Sequence, residues 1–221
     1  MTRSKKIPPP AAVGRWGERE VGILDVARKL FAKDGYDSVS MVAVAKAAGL
    51  SEGTLYNYFR DKRDLVIRVG SVNLERRAEA MEQLVDQAPD FATGFELFIA
   101  AHLRTIIEGK HIYRIWMREV RSGDTYDASD ARAISRRYTN LFIRLLERWR
   151  IAVDPKLGLS PAVMRDLVLG GAEHVAWTAI VQGREKGVDI ERTAADLTQA
   201  YLRAFGLPVP SSATMKKARP E

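Results

Sequence analysis

Gly53, Thr54, Tyr56 and Asn57 stand close together in the chain, and their chemistry is that of groups that meet the edge of a base pair. A threonine offers a methyl for thymine and a hydroxyl for a polar edge. An asparagine amide pairs with adenine, and a glycine lets the backbone approach closely. Ser51 precedes them at an N-cap position, where its oxygen can accept a free backbone N–H of the first turn. Glu52 follows in that turn, where the helix dipole favours an acid. Leu55 and Phe59 are four apart and share one face. Residues 50–59 therefore read as a short helix with one anchoring face and one reading face. A helix this short does not hold alone in water. It needs a scaffold behind it and a partner in front.

The preceding residues supply the scaffold. Ser40 is the cap of a second short helix, with Met41, Val44, Ala45 and Ala48 at helical spacing. Ala45 is small enough for a close helix crossing. Gly49 can take a positive φ and end the helix in a tight turn. Leu50 then enters the core and Ser51 starts the next helix. Helix, glycine turn and helix at this spacing make a helix-turn-helix, whose second helix enters the DNA major groove. The charge agrees. The net charge is +7, and residues 1–70 hold 13 Lys+Arg against 8 Asp+Glu. Most of the excess lies with the motif, as a polyanionic partner requires.

Other chemistries are poorly represented. The absence of cysteine excludes disulfides and thiol catalysis. His102, His111 and His174 lack metal-ligand spacing, so neither a metal nor another cofactor is expected. There is no nucleophile elbow, phosphate loop or paired-carboxylate motif, and no catalytic residue is assigned. No apolar run is long enough for a membrane span, and no secretory signal is apparent, which predicts a cytoplasmic protein.

Four linked segments resemble the DNA-binding domain of the TetR family of bacterial transcriptional regulators over about residues 16–65. They are Leu30-Phe31-Ala32-Lys33-Asp34-Gly35-Tyr36-Asp37-Ser38-Val39-Ser40, Ala45-Lys46-Ala47-Ala48-Gly49-Leu50-Ser51, Gly53-Thr54-Leu55-Tyr56-Asn57-Tyr58-Phe59 and Asp61-Lys62-Arg63-Asp64-Leu65. The resemblance implies a homodimeric repressor on a palindromic operator in double-stranded DNA, released by a small-molecule effector. It makes Tyr58 and Lys62 phosphate ligands and adds Ser40, Lys46 and Ser51 to Gly53, Thr54, Tyr56 and Asn57 as DNA-binding residues. Val42 and Ala43 are apolar where the family usually carries polar residues, and Glu52 is an acid set beside the phosphate backbone at a position where the family allows several residues. The rival reading is an architectural DNA-binding protein with no small-molecule input.

The rest of the chain predicts an all-α protein of about nine helices: a three-helix DNA-binding domain followed by a larger helical bundle. A basic tail spans 1–14 and the DNA-binding domain 15–65. A linking helix runs to about 87, with Leu65, Val69, Val72 and Leu74 on its apolar side and Glu75, Arg76, Arg77, Glu79 and Glu82 on its solvated side. The bundle spans 88–207 and a polar tail 208–221. One long helix is expected over 128–151. Apolar side chains crowd the bundle, where small-molecule sites occur between helices. Phe98, Tyr113, Trp116, Met117, Tyr138, Phe142 and Trp177, with Glu173 and His174 as polar members, are the effector candidates. Residues 170–177 loosely resemble acyl-CoA-responsive branches of the family, so the effector is an acyl-CoA, a fatty acid or an aromatic acid. The last two long helices are the dimer candidates, through Leu167, Gly170, Gly171 and Thr178 on one and Leu197, Tyr201 and Phe205 on the other. Two helical glycines cost roughly 1 kcal/mol each relative to alanine. A close helix crossing would offset that, between subunits or within one.

Overall fold

The computed structural model describes residues 17–121, 130–153 and 155–208. The tails expected at 1–14 and 208–221 fall wholly or mostly outside these residues. The described residues contain α-helices and no strand: α1 Glu18–Asp34, α2 Met41–Ala47, α3 Glu52–Tyr58, α4 Lys62–Gln87, α5 Phe91–Ile107, α6 Lys110–Ile115, α7 Asp130–Thr139, α8 Leu141–Arg148, α9 Pro161–Val181 and α10 Ile190–Ala204. α6 passes into a π-helical stretch, Trp116–Arg121.

Helix starts follow local chemistry. Asp90 accepts from Thr93 N–H at 2.8 Å, Ser160 from Val163 N–H at 3.3 Å and Asp189 from Arg192 N–H at 3.0 Å. Pro161 occupies the first turn of α9, where its missing N–H costs nothing. The helix expected over 128–151 is divided. Asn140 has φ −70° and ψ −6°, and its side-chain oxygen accepts from Arg165 Nη1 at 2.7 Å. That bond holds Asn140 against α9 at the junction of α7 and α8.

The described residues pack as two units, one of those up to 77 with those in 111–138, the other of 78–110 with those from 139 to 208. In the first, α1, α2, α3 and α4 meet over Phe31, Val44, Leu55, Phe59 and Leu65. Ile112 and Ile115 of α6 are buried in the same cluster, so α6 is part of that core. Glu75, expected on the solvated side of α4, is 5% exposed, with Arg137 Nη1 of α7 at 3.8 Å. α7 covers that side of the helix and brings the compensating cation.

In the second unit α5 is the central helix, packed on α8, α9 and α10. Phe95 and Phe98 pack at a tilt against Phe142 with ring centroids 5.3 and 6.1 Å apart. Arg144 pairs with Glu82 at 3.0 Å and Arg148 with Asp86 at 3.3 Å, tying α8 to the last turns of α4. The two adjacent glycines of α9 have different roles. Tyr201 of α10 donates its hydroxyl to the Leu167 carbonyl at 2.8 Å. A Cβ on Gly171 would stand 2.0 Å from that hydroxyl oxygen, so Gly171 is required by a crossing within one chain. A Cβ on Gly170 would meet nothing within 4 Å.

Gly171→Ala is therefore expected to destabilise by about 1–2 kcal/mol, since overpacking outweighs the helix-propensity gain. Adding Tyr201→Phe removes the clashing oxygen, and the double variant should be more stable than Gly171→Ala alone. Gly170→Ala should raise monomer stability by up to about 1 kcal/mol. Urea unfolding of the four proteins checks this. A neutral Gly171→Ala would mean that the helices do not cross this closely.

Candidate nucleic-acid interface

The turn between α2 and α3 is built from the residues the sequence marks. Ser40 Oγ accepts from Ala43 N–H at 3.1 Å and starts α2. Gly49 has φ +67°, a conformation that side chains resist. Leu50 N–H then reaches back to the Ala45 carbonyl at 2.9 Å. Ser51 Oγ accepts from Thr54 N–H at 3.1 Å and pairs with Thr54 Oγ1 at 2.7 Å. Leu55 and Phe59 are fully buried and fasten α3 to α1, α2 and α4. The opposite face carries Gly53, Tyr56 and Asn57 exposed and Thr54 half-buried. Tyr56 is 46% exposed, a large aromatic presented to solvent. On α2, Lys46 is exposed, and so is Val42 at 55%.

Two expected phosphate ligands have other partners. Tyr58 packs on the core cluster, with its ring 6.2 Å from that of Phe59. The Lys62 ammonium lies 4.3 Å from the Tyr36 ring centroid and donates to the Asp37 carbonyl at 3.4 Å. Arg118, from the π-helical stretch, shares this node. It donates to Asp37 at 3.0 and 3.3 Å and lies over Tyr36 at 5.2 Å. The Arg118 hydrogen bond holds the Asp37 carboxyl below the usual carboxylate range. Burial, followed by the nearby Glu119 charge, pushes the Tyr36 phenol up.

A second node fixes where α3 ends. Asp64 Oδ2 accepts from Arg60 N–H at 3.0 Å, and Asp61 Oδ1 accepts from Asp64 N–H at 2.7 Å. Arg68 donates to Asp64 at 3.2 Å and to Glu20 of α1 at 2.7 Å. The chain leaving the reading helix is thus tied to α4, and α4 to α1. The i, i+4 spacing of Asp64 and Arg68 is visible in the sequence. Glu20, 48 residues away, is not marked by any pattern.

The effector candidates divide between the units. In the first, Tyr138 is buried, and Tyr113, Trp116 and Met117 are half-buried. In the second, Phe98 and Phe142 are core rings, Trp177 and Glu173 are half-buried and His174 is exposed. Of the dimer candidates, Leu167 and Gly170 are exposed, and Gly171, Thr178, Leu197 and Tyr201 are half-buried. Phe205 is buried, with its ring stacked on Tyr201 at 5.5 Å. Among the described residues no cluster of three or more His, Asp or Glu is placed to hold a metal, and no helix is long and apolar enough to cross a membrane.

A buried anchoring face, an exposed reading face and a glycine turn between two capped helices form a helix-turn-helix, the arrangement that presents its second helix to a DNA major groove. Residues 23–69 match the family described as "Bacterial regulatory proteins, tetR family". The fatty acid metabolism regulator protein of Bacillus subtilis is 22% identical over 163 residues, covering 74% of this chain and 84% of that one. An HTH-type transcriptional regulator of Staphylococcus aureus is 34% identical over 80 residues, 36% of this chain and 42% of that relative. The crystal structure of the transcriptional regulator FadR of B. subtilis in complex with stearoyl-CoA superposes with a TM-score of 0.66 at 20% identity, covering 82% of this chain and 96% of that one. Over residues 23–69 the chain is thus similar to the tetR family of bacterial regulatory proteins, and the B. subtilis and S. aureus relatives are regulators.

Proposed function

We propose that the protein is a one-component repressor: a homodimer holds a palindromic operator through α3 of each protomer, and an acyl-CoA or related amphipathic acid releases it. The observation that carries the reading is α3 itself, with Leu55 and Phe59 wholly buried and Gly53, Tyr56 and Asn57 turned outward. One such helix makes too few contacts for tight specific binding. A two-fold pair with its reading helices about 34 Å apart reads successive major grooves. α9 supplies the pairing surface, because Val163, Leu167, Gly170 and His174 are exposed at helical spacing on one side while Met164, Val168, Ala172 and Ala176 are buried on the other. Relatedness to a regulator crystallised with stearoyl-CoA supports the effector class. The protein acts in the cytoplasm, on the nucleoid when bound, without enzyme activity of its own. To reverse a 1:99 operator-free population, the effector must prefer the released state by about 10⁴-fold.

The test is titration of labelled upstream DNA against a scrambled duplex of equal length, at two salt concentrations. Binding should be at least about 10³-fold tighter to the native duplex. Tyr56→Ala should remove roughly tenfold or more of that preference while leaving the salt slope unchanged. Adding stearoyl-CoA should release the complex. Equal affinity for both duplexes with a steep salt slope would replace this reading with sequence-independent binding.

A further inference from the structure

We infer that Thr54 reads a thymine through its methyl group, its hydroxyl being held back by Ser51. The inference rests on the operator-binding reading above and names the base chemistry of that site. Both polar groups of Thr54 are bound to one side chain: its N–H donates to Ser51 Oγ at 3.1 Å, and its Oγ1 pairs with the same oxygen at 2.7 Å. A β-branched side chain is stiff at χ1. Fixing Oγ1 on Ser51 therefore fixes the methyl carbon on another side of Cβ. Gly53 beside it has no side chain to cover that methyl. The composition of α3 points the same way. Its sequence, EGTLYNY, contains no arginine or lysine, so the helix lacks the side chains that most often read guanine. What it exposes is a phenol ring and the Asn57 amide, with Thr54 half-buried, and the exposed Val42 of α2 adds apolar surface in the motif. This chemistry suits A·T pairs, with thymine methyls as the apolar contact.

The experiment replaces each thymine of the bound duplex in turn by deoxyuridine. This deletes the C5-methyl and leaves every hydrogen-bonding group in place. At one thymine of each half-site the wild-type protein should lose about fourfold in affinity, the worth of one buried methyl-sized group. Thr54→Ser keeps the pairing with Ser51 but loses the methyl. It should bind the thymine duplex about fourfold more weakly and show no further loss on deoxyuridine. Thr54→Val keeps a methyl without the hydroxyl and should retain the deoxyuridine penalty. Circular dichroism and the urea unfolding midpoint of the three proteins confirm an intact domain. The inference is overturned if no deoxyuridine changes wild-type affinity. It is also overturned if Thr54→Ser binds like wild type while Thr54→Val does not, which would make the hydroxyl the reading group. Loss of all sequence preference in the wild-type protein would remove the operator-binding reading along with it.

Discussion

Gly70→Ala should cost about 3 kcal/mol of stability, at the upper end for one added methyl in a packed core. A Cβ built on Gly70 lies 2.3 Å from Trp116 Cε3 and 2.7 Å from Cζ3. The neighbour is a rigid bicyclic ring, which cannot yield by a few tenths of an ångström as a flexible chain end would. It must leave its rotamer or carry its backbone with it. Either movement disturbs much else, because Ile112 and Ile115 on the preceding turns are buried in the helix-turn-helix core. On the following turn Arg118 grips Asp37, and the Glu119 carbonyl accepts from Arg63 at 3.2 Å. Urea unfolding and tryptophan fluorescence provide the check, with a shift of the native emission expected alongside the lost stability. Gly70→Ala with Trp116→Leu should recover much of the loss, because the smaller side chain vacates the space. A neutral Gly70→Ala would show that the indole does not rest on α4.

Local patterns in the sequence made the reading helix legible because local chemistry determines it. Ser40, Gly49 and Ser51 cap and turn within a few residues of what they bind, and Leu55 and Phe59 need only helical spacing to share a face. Tyr58 and Lys62 are different. Their types suit a phosphate, but Lys62 also meets Tyr36 and Asp37, more than 20 residues earlier in sequence, and Tyr58 packs on the core cluster beside Phe59. Spacing does not show these contacts. Glu75 was misplaced for the same reason. A glutamate on a long helix reads as solvated until α7 supplies Arg137 and covers it. The break at Asn140 also depends on a distant partner, Arg165. Gly170 and Gly171 looked alike as a pair. Only the position of Tyr201 separates a glycine needed within the chain from one left on the exposed side.

Arg68→Met should destabilise the first unit by about 3–5 kcal/mol, the usual cost of removing one partner from a buried charge pair. Arg68 is 13% exposed, and the carboxylates it bridges, Asp64 and Glu20, are 11% and 17% exposed. Its guanidinium also lies 5.4 Å from the Phe59 ring centroid, so it packs on the residue that ends the reading helix. Methionine restores most of the apolar stem but leaves two poorly hydrated carboxylates without their shared cation. Most of the loss should come from those abandoned charges, because two carboxylates in low dielectric are costly when unpaired. The triple variant Arg68→Met, Glu20→Gln, Asp64→Asn should therefore be more stable than Arg68→Met alone. Arg68→Lys should fall between wild type and Arg68→Met, since an ammonium is a point charge without the planar fork that reaches both partners. Operator affinity should follow a different order. Asp64 holds Arg60 N–H at 3.0 Å, so Asp64→Asn weakens the anchor just beyond α3. The triple variant should regain stability without regaining full sequence preference. Urea unfolding and operator titration of the same four proteins separate the two effects. Equal stability of Arg68→Met and wild type would mean that water already solvates these carboxylates. Full operator preference in the triple variant would mean that the node supports the fold without positioning the reading helix.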